Sequence, residues 1–114
     1  MKYPIAVSAM LLALVPTALS AQTGPRDPKE TFEQMCAGCH GTRGDGAEGH
    51  SGGFSPVVTT LANKEYMKLL QDDYLVAIIK KGGAAMGKIA TMPAWEKRLT
   101  DEEIKAIVAH IRTF

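Results

Sequence analysis

A chain of 114 residues is sized for one domain. Thirteen Lys and Arg against twelve Asp and Glu leave a net charge of +1, without the basic excess of a nucleic-acid-binding protein. Two cysteines are too few for a disulfide scaffold, and one Trp, three Tyr and three Phe limit the core that the polypeptide can bury unaided.

Residues 1–21 read as a cleavable export signal rather than part of the fold. Lys2 is the charged start, Ile5 to Val15 form an apolar run, Pro16 breaks it, and Ala18-Leu19-Ser20-Ala21 supplies small residues for cleavage. The run is too short to remain as a membrane span. The mature domain is therefore expected over residues 22–114, in the periplasm. Loss of Lys2 would leave its acids and bases balanced.

Ala21 to Arg26 is a short lead-in. Asp27-Pro28-Lys29-Glu30 then starts a helix: Asp27 can cap, Pro28 suits the first helical position, and Glu30 stands at the capping-box spacing. Phe32, Met35, Cys36 and Cys39 follow on one helical face, with Phe32 and Met35 expected as core.

That face carries Cys36-Ala37-Gly38-Cys39-His40. Two thiols three positions apart, followed at once by an imidazole, have the spacing that joins both sulfurs to the vinyl groups of a haem and brings a histidine to its iron. A redox dithiol needs its cysteines at the start of a helix, where the thiol pKa falls. Here helical periodicity precedes the motif. A zinc site lacks a second pair of ligands, and a disulfide across two residues would be strained and leave His40 unexplained. One covalent haem c with its iron is the cofactor expected. Thioether bonds would also consume two thiols that otherwise pair in an oxidising compartment.

From Gly41 to Pro56 six glycines mark a loop whose backbone can pass close to a flat group. No G-K-[ST] follows, so it is not a phosphate loop. His50 within it reads as a solvated histidine. The Pro56 carbonyl is a candidate acceptor for the free N–H of His40, a bond that would fix the ligand's tautomer. Helices are predicted from about Asn63 to Leu70 and from Asp72 to Lys81, the latter capped by Asp72 or Asp73 and stopped by Gly82. Tyr66 and Tyr74 read as half-buried packing residues. A loop then runs to Arg98. The last helix opens with a Thr100–Glu103 capping box and carries Ile104, Ile107, Val108 and Ile111 on one face, with His110 off that face and exposed. No strand pattern or repeat intervenes, and the fold class is all-α.

Four methionines follow the leader. Met35 and Met67 lie in helical stretches as core fillers, while Met86 and Met92 lie in the loop before the last helix. Pro93 biases Met92 toward extended backbone and stiffens its surroundings, so Met92 is preferred over Met86 as a second axial ligand.

The set Cys36-x-x-Cys39-His40, the Gly-rich loop, Thr91-Met92-Pro93-Ala94-Trp95 and Leu99-Thr100-Asp101-Glu102-Glu103-Ile104 resembles the class I c-type cytochromes, in particular the small bacterial exported monohaem type. The resemblance spans the mature chain in order. It implies the cytochrome c fold, three to five helices with the first and last crossing over a haem buried except for one edge. It further implies attachment through Cys36 and Cys39, His40 and Met92 as axial ligands, the Pro56 carbonyl near His40, and Trp95 packed near the haem. The expected function is transfer of single electrons between redox proteins by a soluble monomer, not enzymatic turnover. The competing readings are a haem-bearing subunit of a larger oxidoreductase and a gas- or peroxide-reactive haem, which would need a vacant sixth position. Lys80, Lys81, Lys88, Lys97 and Arg98 flank the methionine loop with Glu96 the sole acid among them. They form a candidate basic rim for an acidic partner.

Overall fold

A computed structural model describes residues 24–46 and 60–114. The leader at 1–21, His50 and Pro56 lie outside them. The described residues contain five helices and no strand: α1 (Pro28–Met35), α2 (Ala37–His40), α3 (Lys64–Lys68), α4 (Asp72–Ala85) and α5 (Asp101–Ile111).

The helix starts are local chemistry. The Asp27 carboxylate accepts from the Glu30 N–H at 2.8 Å, with Pro28 at the position where its missing donor costs nothing. At α5 the capping box is complete: Glu103 N–H donates to Thr100 Oγ1 at 3.2 Å, and Thr100 N–H donates to Glu103 Oε2 at 2.8 Å. Caps of this kind are each worth about 1 kcal/mol. Those bonds, the Thr100 N–H first and the Arg26 contacts with it, hold the Glu103 carboxyl below its ordinary range. Arg26 Nε lies 3.4 Å from Glu103 Oε1 and its Nη2 donates to the Arg98 carbonyl, which ties the lead-in of α1 to the start of α5.

Among these helices α5 is the central element. Both α1 and α4 pack on it, and their backbones stay apart from each other. Its Ile104, Ile107, Val108 and Ile111 are buried, together with Phe32 of α1 and Leu75 and Ile79 of α4. Holding α1 and α4 apart across one helix leaves space between them, and that space is the cavity described below.

Four sequence expectations change. Met35 ends α1, and Cys36 (φ −117°, ψ −37°) joins it to the separate short helix α2. Gln71, not Asp72 or Asp73, precedes the first residue of α4, and no side chain caps it. The Asp72 carboxylate instead accepts from Arg112 Nη2 at 2.7 Å, while the same guanidinium donates to the carbonyls of Met67 and Leu70. One arginine after α5 thus fastens the α3–α4 corner. Gly82 does stop the regular helix, with φ 80° and ψ 167°, but a further helical turn through Ala85 follows it. Finally, His110 is half-buried, not exposed. Its ring lies edge-on to Phe32 at 5.5 Å and to Phe114 at 5.1 Å. The periodic stripe of α5 underestimates its buried arc because Phe32 and Phe114 close over the flank. Phe114 in turn seats on Gly44 (φ 72°), where an added Cβ would stand 2.5 Å from its ring.

Candidate haem-binding site

Between the α1–α2 unit and α4 lies a cavity of about 310 Å³, within the range of small-molecule and cofactor sites. Its walls are mostly apolar. Phe32 and Met35 come from α1, Met67 from α3, Leu75, Ile78 and Ile79 from α4, and Ile107 and Ile111 from α5. Lys88 is the charged side chain at its border. Cys36, Cys39 and His40 enter from the α1–α2 junction, and Met92, Pro93 and Trp95 from the loop after α4. The four residues expected to hold a haem therefore face one cavity although Met92 is more than fifty positions from His40. Met86 does not line it.

The thiols differ in setting. Cys39 is exposed and Cys36 half-buried. Burial, with the neighbouring Cys39 adding to it, pushes the Cys36 thiol up to about 11. This is the opposite of the activation that a catalytic or redox thiolate requires. Although the motif opens α2, contrary to the expectation that it closes a helix, the Cys36 thiol is not activated. No group of three or more His, Cys, Asp and Glu among the described residues could hold a bare metal ion, so a zinc reading gains no support.

The loop from Ile89 to Trp95 is anchored at Met92 and again at Trp95. The Met92 carbonyl accepts from the Gly83 N–H at 2.9 Å, and the Trp95 N–H donates to the Ile79 carbonyl at 3.1 Å. Trp95 is half-buried, with the Arg98 guanidinium 5.5 Å from its ring centroid. Sequence reasoning missed that Met35 and Met67, read as core, also line the cavity, as do Tyr66 and Tyr74. The position of Met35 beside Cys36 was the available signal for the first.

The candidate basic residues are distributed unevenly. Lys88 borders the cavity, and Lys81 is exposed. Lys80 is paired with Asp101 at 2.8 Å. Lys97 and Arg98 line a separate polar groove with Arg26, Asp27, Glu30 and Asp101.

Apolar walls, two thiols three positions apart, an imidazole and a thioether fit a covalently attached haem, and with the all-helical frame they define a c-type cytochrome. The family model described as cytochrome C oxidase, cbb3-type, subunit III matches residues 23–111, and the chain belongs to that family. Among solved structures, the KustC0563 c-type cytochrome superposes with a TM-score of 0.60 at 27% identity, covering 78% of this chain and 98% of its own. No curated protein matches. The fold is thus the cytochrome c fold, the cofactor is haem c with its iron, and the function is haem-based electron transfer with redox partners. No helix among the described residues is long and apolar enough to cross a membrane.

Proposed function

We propose that the protein is a soluble periplasmic carrier of single electrons and not an enzyme. In this reading Cys36 and Cys39 form the thioethers, and His40 and Met92 are the axial ligands. The observation that carries it is the meeting of His40 and Met92, from two separate elements, on one apolar cavity that Met86 does not line. The bound haem supplies a one-electron iron couple, whose potential a methionine ligand raises. The chain's own contribution is rigidity and exclusion of water: α5 fixes the two walls, and the apolar lining keeps the pocket at low dielectric. Trp95 closes the cavity beside Met92. The Pro56 carbonyl is assigned as acceptor for the His40 N–H, and residues 1–21 as the export signal.

The test is the sixth ligand. In the oxidised protein a weak long-wavelength band from sulfur-to-iron charge transfer is expected. Met92→Ala should abolish it, lower the potential and let the reduced protein bind carbon monoxide, whereas Met86→Ala and Met67→Leu should do none of these. Carbon monoxide binding by unsubstituted reduced protein would instead support the gas-reactive reading and sink the carrier.

The family description favours one second reading, a haem-bearing subunit of a larger oxidoreductase. Native purification separates the two: the carrier elutes as a small monomer, the subunit with a complex.

For the partner we propose an acidic docking surface met by Lys80, Lys81, Lys88, Lys97 and Arg98, with Lys88 foremost because it borders the cavity. Such steering acts on association rate and is screened over about 10 Å at 0.1 M salt. Lys88→Glu should slow bimolecular electron transfer at low salt and leave it unchanged at high salt. Lys97→Glu, in the separate groove, should have a smaller effect. A rate indifferent to Lys88→Glu at low salt would remove the rim from the mechanism.

A further inference from the structure

The sequence presents Gly82 as the stop of a helix, yet the backbone at Gly82-Gly83 does more than end regular α4. The turn at Gly82 (φ 80°, ψ 167°) takes the chain out of the helical path, so the Gly83 N–H is delivered to the Met92 carbonyl at 2.9 Å. It also leaves the Ile79 and Lys80 carbonyls open to the other side of the loop. They accept from the Trp95 N–H at 3.1 and 3.2 Å, and the Lys80 carbonyl accepts from the Glu96 N–H at 3.2 Å. The Gly83 carbonyl accepts from the Lys88 N–H at 2.8 Å. The Gly83 N–H is therefore given to the loop that carries Met92, and its carbonyl is shared between the Lys88 N–H and, at 3.0 Å, the Met86 N–H of its own turn.

The approach is close enough to require glycine. A Cβ on Gly83 would overlap the Ile89 carbonyl oxygen and stand 3.4 Å from the Met92 Cβ. A Cβ on Gly82 would stand 2.8 Å from the Ala94 nitrogen and 3.0 Å from the Met92 carbonyl. The two positions differ in one useful respect. Gly82 has a positive φ that side chains rarely adopt, whereas Gly83 does not. At Gly83 the requirement comes from the neighbouring loop alone.

We infer that Gly83, supported by Gly82, is the seat that sets the distance of Met92 from the iron. This makes it a positioning residue for the sixth ligand, and the inference rests on the assignment of Met92 proposed above. Any side chain at Gly83 lifts the 89–92 segment, and the sulfur attached to it, off the floor of the cavity.

Four forms of the haem-loaded protein test this: unsubstituted, Met92→Ala, Gly83→Ala and Gly87→Ala. Gly87 lies in the same loop with a positive φ of 67° and nothing within 4 Å of an added Cβ, so it controls for general disturbance of the loop. Gly83→Ala should lose the long-wavelength band of the oxidised protein and bind carbon monoxide when reduced, as Met92→Ala does, while keeping its helical circular dichroism. Gly87→Ala should keep the band. If Met92→Ala itself leaves the iron closed, the ligand assignment fails and the seat with it. If Met92→Ala opens the iron and Gly83→Ala does not, or Gly87→Ala opens it equally, the ligand assignment stands and the seat is overturned. Should Gly83→Ala not accumulate, hydrogen exchange on the unsubstituted oxidised protein decides. Displacing the sulfur with added imidazole should speed exchange of the Gly83 N–H, which is bonded to Met92, but not that of Ile107 in α5. Unchanged Gly83 exchange would overturn the seat.

Discussion

Replacing either Cys36 or Cys39 with alanine is expected to leave the haem on a single thioether, and replacing both to leave no haem that survives acid extraction. The two single variants should not be equivalent. Cys36 sits half-buried against the cavity and its loss also removes packing, whereas Cys39 is exposed and its loss is mainly covalent. The consequence reaches the fold because cavity wall and core are largely the same residues. Phe32, Met67, Leu75, Ile79, Ile107 and Ile111 are buried core and also line the cavity. Packed against them are the half-buried lining residues Met35, Leu70, Tyr74 and Met92, which border water when no haem covers them, and apolar surface loses about 25 cal/mol for each Å² left exposed. A domain with this few aromatic residues has little else to compensate. The double variant should therefore lose most of its helical circular dichroism. The pyridine haemochrome spectrum and the intact mass of each variant give the readout. Full covalent haem with an unshifted haemochrome in either single variant would show that the attachment points are misassigned.

What the sequence disclosed was local, and what it hid depended on distant backbone. The Cys36–His40 motif, the caps at Asp27 and Thr100 and the isoleucine stripe of α5 are each set within a few residues, and all are legible as periodicity or short spacing. The role of Asp72 was misread because the group that claims its carboxylate, Arg112, is forty residues away. His110 was misplaced for a similar reason: Phe32, which helps cover it, comes from another helix. Gly82 looked like mere punctuation because a local stretch of sequence cannot show which distant loop lies over it. Met92 was separable from Met86 through Pro93, a local constraint, and the structure adds that Met92 alone of the two lines the cavity. The roles of His50 and Pro56 fall outside the described residues.

The largest purely structural effect is expected at Phe32. It is 0% exposed, lies where α1 meets α5, and makes edge-on contacts to His110 at 5.5 Å and to Phe114 at 5.2 Å while forming part of the cavity wall. Phe32→Ala removes a whole ring from a fully buried position. Substitutions of this type cost about 3–5 kcal/mol, against a total stability of about 5–15 kcal/mol for small domains. His110→Ala removes only the edge contacts and should cost nearer 1 kcal/mol. Because the three rings share partners, the two substitutions together should cost less than their sum, a coupling that distant sites do not show. Denaturant unfolding of the haem-loaded proteins, followed by helical circular dichroism, measures all three. The covalent haem content should be unchanged in these variants, which separates a packing effect from failed attachment. A loss below about 1 kcal/mol for Phe32→Ala, or strict additivity with His110→Ala, would mean that the α1–α5 crossing is not held by this aromatic cluster.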